Sequence, residues 1–119
     1  MTKEAVLDYG VTIHSSEQLV SEDFDKLIAE ALRKGDFRLA IRYSFLKVLK
    51  VLQVKGKIDW HQEKTNHDYY LEIPDGDKQK YSRILYYYEY IWYGEFEANK
   101  FIYDEVHVQV RKLQGGNDR

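Results

Sequence analysis

Residues 21–56, "SEDFDKLIAEALRKGDFRLAIRYSFLKVLKVLQVKG", decide the fold. Phe24, Leu27, Ile28, Ala31 and Leu32 recur at i, i+3, i+4, i+7 and i+8, the spacing that places apolar side chains on one face of a helix. Ser21 reads as its N-cap, with Glu22 and Asp23 in the first turn, and Gly35 as its stop. Asp36 then caps a second helix, whose stripe is Phe37, Ala40, Ile41, Phe45, Val48, Leu49 and Leu52 and whose end is signalled by Lys55 and Gly56. So short a connection predicts an antiparallel helical hairpin.

Before this hairpin, residues 1–20 mix short apolar pairs with Gly and Ser and show no sustained period, so a partly extended lead-in is expected. After it, Ile58 and Trp60 alternate with polar neighbours for a few positions, which predicts a structured loop or short extended segment. Thr65 followed by Asp68 fits a capping box, and "TNHDYYLEI", residues 65–73, reads as a short helix ended by Pro74 and a "DGD" turn.

From Lys78, the positions Tyr81, Ile84, Leu85, Tyr88, Ile91 and Trp92 keep helical spacing up to Gly94, a C-terminal stop. Residues 98–114 are ambiguous. Ile102, Val106, Val110 and Leu113 suit a helix, whereas Val106, Val108 and Val110 alternate as in a strand; the longer stripe and the basic pair Arg111 and Lys112 favour the helix. Residues 114–119 read as a frayed tail. The expected architecture is one mainly α-helical domain over residues 21–113, a small bundle of four to five helices.

The chain's 119 residues suffice for one core. Its net charge of −2 argues against nucleic acid as a partner, because such proteins usually present a strongly basic face. Cysteine is absent from the sequence, which removes thiolate ligands and cysteine nucleophiles from this chain. No stretch approaches the roughly 18 apolar residues of a membrane span, since lysines break "FLKVLKVLQV". The N-terminal "MTKEAVLDYG" has no apolar core of a signal peptide.

Motifs for catalysis are missing. The seven glycines form no phosphate-cradling loop, no serine sits in an elbow motif, and Asp104–Glu105 and Glu95–Glu97 read as solvated faces rather than an acid–base pair. His61, Glu63, His67 and Asp68 are ligand types without a recognised ligand spacing. No catalytic residue, metal or cofactor is therefore expected. What remains is an aromatic run, six rings in the eight positions from Tyr86 to Tyr93. Tyr81, Tyr88 and Trp92 fall on the core stripe, while Tyr86, Tyr90 and Tyr93 recur at i, i+4 and i+7 on a second stripe that either meets another helix or lies open as a candidate interaction surface. Arg38 and Arg42, one turn apart, are candidates for the same surface or for ion pairs with the Glu89 or Asp104 region.

The order "GDFRLAIRYSFLKVLKVLQVKGKIDW", "KTNHDYYLEI", "YYYEYIWYGEF" resembles a family, the protein-glutamine gamma-glutamyltransferase-like C-terminal domain of bacterial transglutaminase-like and related membrane proteins. The resemblance spans residues 21–113 and rests on Arg38, Leu39, Ala40 and Arg42, on Lys64, Thr65 and Asn66 with Tyr69 behind, and on Trp92, Tyr93 and Gly94. It implies a non-catalytic module on the cytoplasmic side of the inner membrane, excised here from an anchored parent, with an unknown protein partner. A second expectation, from the residues alone, is a regulatory domain that binds a small ligand or metal through Arg38 and Arg42 or through His61 and His67. Lys64 is expected to reach carbonyls at the end of the second helix, and Tyr69 and Trp60 to pack over that junction.

Overall fold

A computed structural model describes residues 10–94 and 96–115. Among these, the chain forms six helices and no strand: α1 Ser16–Ser21, α2 Phe24–Arg33, α3 Phe37–Val54, α4 Asn66–Glu72, α5 Asp75–Trp92 and α6 Lys100–Gln114. The mainly α-helical bundle expected from the sequence is the observed fold.

The predicted hairpin is α2 and α3. Arg33 ends α2, and Gly35, at φ +73°, turns the chain so that its N–H reaches the Leu32 carbonyl and the Asp36 N–H reaches the Ala31 carbonyl. Both bonds satisfy carbonyls that the helix end leaves unpaired, and the left-handed backbone they require is cheap for glycine. The next residue, Asp36, accepts from the Leu39 N–H at 3.0 Å and starts α3. One helix end and the next helix start thus share three residues.

α3 is the axis of the bundle and packs against α1, α2, α5 and α6. The predicted stripe faces inward, and Tyr43, Ser44 and Leu46 are buried as well. Ser44 satisfies its hydroxyl on the Ala40 carbonyl at 2.8 Å, so this buried donor is not left open. α5 and α6 pack on each other and on α3, and α4 leans on α5.

Three expectations need correction. Ser21 is not a cap but the last residue of α1; Asp23 caps α2 instead, its carboxylate accepting from the Lys26 N–H at 3.1 Å. Over residues 16–20 the lead-in is helical, begun by the Ser15 hydroxyl, and Leu19 and Ile13 are buried in the core, so this stretch belongs to the packed bundle. Residues 1–9 of the lead-in lie outside the described residues, as does the tail beyond 115. Finally, "DGD" is no turn but the first turn of α5, where Asp75 and Asp77 complement the helix's positive end after Pro74.

The segment around Trp60 is an ordered loop. Trp60 and Ile58 are buried, and the Trp60 N–H donates to Gln53 Oε1 at 2.8 Å. The ambiguous segment resolves as α6, capped by Asn99 accepting from the Ile102 N–H at 2.9 Å, with Val106, Val110 and Leu113 buried and Val108 exposed.

Candidate functional site

α5 runs 18 residues, and its helical period sorts the aromatic run onto two faces. Tyr81, Ile84, Tyr88 and Ile91 point into the core; Leu85 and Trp92 are half-buried against it. Tyr81 donates its hydroxyl to the Asn66 carbonyl at 2.9 Å. Tyr88 stacks on Phe45 with centroids 4.6 Å apart and planes within 6°, and its hydroxyl accepts from Arg42 Nη1 at 3.1 Å. Burial pushes the Tyr88 hydroxyl up to about 12, with the Arg42 charge pulling the other way.

Trp92 is the anchor for the arginine pair. The Arg38 guanidinium lies 3.9 Å from the Trp92 ring centroid and that of Arg42 5.5 Å from it, while Arg42 Nη2 donates to the Val11 carbonyl at 3.3 Å. Arg38 and Arg42 thus pack on an indole face rather than on the acidic groups of the Glu89 or Asp104 region. A delocalised, weakly hydrated guanidinium lies flat on a ring more cheaply than an ammonium does, which explains why arginine occupies both positions.

Tyr86, Tyr90 and Tyr93 lie open. They are 62%, 36% and 72% exposed. Tyr86 stacks on Tyr90 at 5.8 Å, and Tyr90 stacks in turn on Phe96 at 4.1 Å with planes 1° apart. The result is a surface ladder of three rings, with Tyr93 beside it set edge-on to the buried Tyr88 at 6.2 Å.

Phe96, half-exposed, is the ladder member that the helical stripe does not include, because it lies beyond α5. Gly94 puts it there. A Cβ at Gly94 would stand 2.6 Å from the Tyr90 carbonyl and 2.9 Å from the Phe96 ring, so the missing side chain lets the chain double back onto Tyr90. Gly94 ends α5 as expected, by close approach rather than by a left-handed backbone.

The two remaining motifs meet in space. Lys64, Thr65, Asn66 and His67 at the start of α4 line an open groove of about 500 Å³ together with Glu89 and Tyr93 of the α5 end. The capping box is complete: Thr65 Oγ1 accepts from the Asp68 N–H at 3.1 Å, and Asp68 Oδ2 accepts from the Thr65 N–H at 2.9 Å. That bond to the Thr65 backbone holds the Asp68 carboxyl below the usual carboxylate range. Lys64 does not reach the end of α3; it donates to the Asp59 carbonyl at 2.6 Å and to Glu72 Oε2 at 2.7 Å, tying the loop to the far end of α4. Tyr69 lies buried behind, donating to the His61 carbonyl at 2.7 Å and accepting from the His61 N–H at 3.2 Å. Burial pushes the Tyr69 hydroxyl up.

His61 and His67 are not brought together as ligands. His61 faces Asp59 at 3.2 Å on the surface, His67 stacks on Tyr70, and no group of three or more His, Asp or Glu among the described residues is placed to hold a metal ion. No helix among the described residues is long and apolar enough to cross a membrane. No protein-family model, curated protein or solved structure matches this chain.

Proposed function

We propose that this domain is a non-catalytic interaction module that docks a protein partner through the ring ladder Tyr86, Tyr90 and Phe96, with Tyr93 at its edge. The observation that carries this reading is the ladder itself: aromatic surface stacked into a fixed arrangement yet left in water. Rings of this kind supply large contact area at little conformational cost, which is why Tyr and Trp dominate interface anchors. In keeping with the resemblance carried by residues 21–113, we place the module on the cytoplasmic side of a bacterial membrane protein, as part of an anchored parent.

The alternative, a regulatory domain that binds a small ligand or metal through Arg38 and Arg42 or through His61 and His67, has less support, because both guanidiniums are already committed to Trp92. Affinity capture with the domain and with a Tyr86→Ala/Tyr90→Ala/Phe96→Ala variant of unchanged circular dichroism tests the proposal. Partners retained by the wild type and lost by the variant are expected; identical partner sets would remove the ladder from consideration.

A further inference from the structure

A second groove runs between the N-terminal half of α5 and the C-terminal half of α6. It measures about 350 Å³ and is lined, among the described residues, by Gly76, Gln79, Lys80, Arg83, Gln109 and Lys112, none of them a carboxylate. The chain has more acidic than basic residues, so a wall of this composition is uneven charge placement. Elsewhere five lysines have carboxylate partners, Lys47 with Asp25, Lys57 with Asp77, Lys64 with Glu72, Lys78 with Asp75 and Lys100 with Asp104, while Lys50 and Lys55 reach only backbone carbonyls and Lys26 and Lys34 stand singly on the surface. Here, among the described residues, Arg83 and Lys112 make no ion pair, and Lys80 reaches only the Gly76 carbonyl one turn back at 3.1 Å.

Lys112 has an ordinary structural use in the last turn of α6, where a cation complements the helix dipole. Arg83 is exposed in the middle of α5, away from either end of the helix dipole. Converging three cations on one groove costs repulsion that an anion would remove.

We propose that this groove binds a phosphate-bearing anion. The Arg83 guanidinium presents a planar fork that spans two phosphate oxygens, Lys80 and Lys112 add point charges from either wall, and the Gln79 and Gln109 amides are neutral donors beside them. The groove shares no lining residue with the ring ladder, so the two proposals stand or fall separately.

The test is an NMR titration of the ¹⁵N-labelled domain with inorganic pyrophosphate at low ionic strength, alongside sedimentation with phosphatidylcholine vesicles with and without phosphatidic acid. Arg83→Gln/Lys112→Gln is compared with Lys26→Gln/Lys34→Gln, an equal change of charge at exposed positions outside the groove. Saturable shifts at residues 79–83 and 109–112, weakened about tenfold or more by the groove variant alone, are the expected result. Vesicle binding that needs phosphatidic acid and is lost in the groove variant supports the site with a lipid headgroup as the source, and saturation by pyrophosphate supports it with a soluble one. Shifts linear in pyrophosphate without vesicle binding overturn the proposal, as does equal weakening by the two variants.

Discussion

Tyr88 shows how a polar handle is kept in the core. Its ring is covered by Phe45 and its hydroxyl is used by Arg42, so Tyr88→Phe leaves the packing and removes one acceptor. A loss of about 1–2 kcal/mol in urea unfolding is expected, the cost of a guanidinium N–H deprived of its partner. His107 acts on pH dependence. His107 is exposed, yet desolvation by its packed neighbours, with Arg111 and Lys47 nearby, holds its imidazole below the ordinary value of 6.5. Both states are neutral above that value; as the pH falls, the unfolded chain takes up the proton first, so stability drops from near pH 6.5 downward. His107→Gln should flatten the decline between about pH 7 and 5 in thermal unfolding, leaving the steeper carboxylate loss below that range. At this scale the sequence foretold that Tyr81 and Tyr88 are buried, but not the burial of Tyr43 and Tyr103, nor what Arg38 and Arg42 touch. Their partner, Trp92, lies some fifty positions away, and charge alone pointed to carboxylates.

The helices were legible where an end is written locally. Asp36, Thr65 with Asp68, and Asn99 each sit one residue before a helix and close its first turn, and the first two are readable as caps. Thr65→Ala should cost about 1 kcal/mol by removing the hydroxyl from its capping box, measurable as a lowered urea midpoint. Where two acceptable caps stand close together, local pattern fails. Ser21 and Asp23 both qualify, and the choice went to Asp23 because Ser21 had already become the end of α1, its hydroxyl donating to the Gln18 carbonyl at 3.1 Å. The turn residues of "DGD" were outweighed by the two aspartates' favourable position at a helix start. Gly94→Ala should destabilise by about 1–3 kcal/mol, since the added methyl collides with backbone at the Tyr90 carbonyl, and it should also displace Phe96 from the ladder, visible as altered near-ultraviolet circular dichroism.

For the molecule as a whole, the central position of α3 follows from its burial on most of its circumference, a property its sequence shows as an apolar stripe wider than that of α2. The part of the lead-in that packs was not legible, because Ile13 and Leu19 belong to no sustained apolar period, and the burial of Leu19 depends on the packing of α1 against α3. Leu19→Ala should therefore cost about 2–5 kcal/mol, the range for a fully buried leucine. The candidate surface was half visible: Tyr86, Tyr90 and Tyr93 come from one helical period, while Phe96 and the groove at Lys64, Thr65 and Asn66 depend on tertiary approach. The aromatic run is divided, with Tyr81 and Tyr88 holding the bundle and Tyr86, Tyr90 and Tyr93 on the surface. The most direct measurement is the unfolding free energy of Tyr86→Ala/Tyr90→Ala/Tyr93→Ala in urea beside that of Tyr81→Ala. A loss below about 1.5 kcal/mol is expected for the exposed triple and about 3–5 kcal/mol for the single buried ring. A triple variant as unstable as Tyr81→Ala would contradict this division, making all of these rings part of the core.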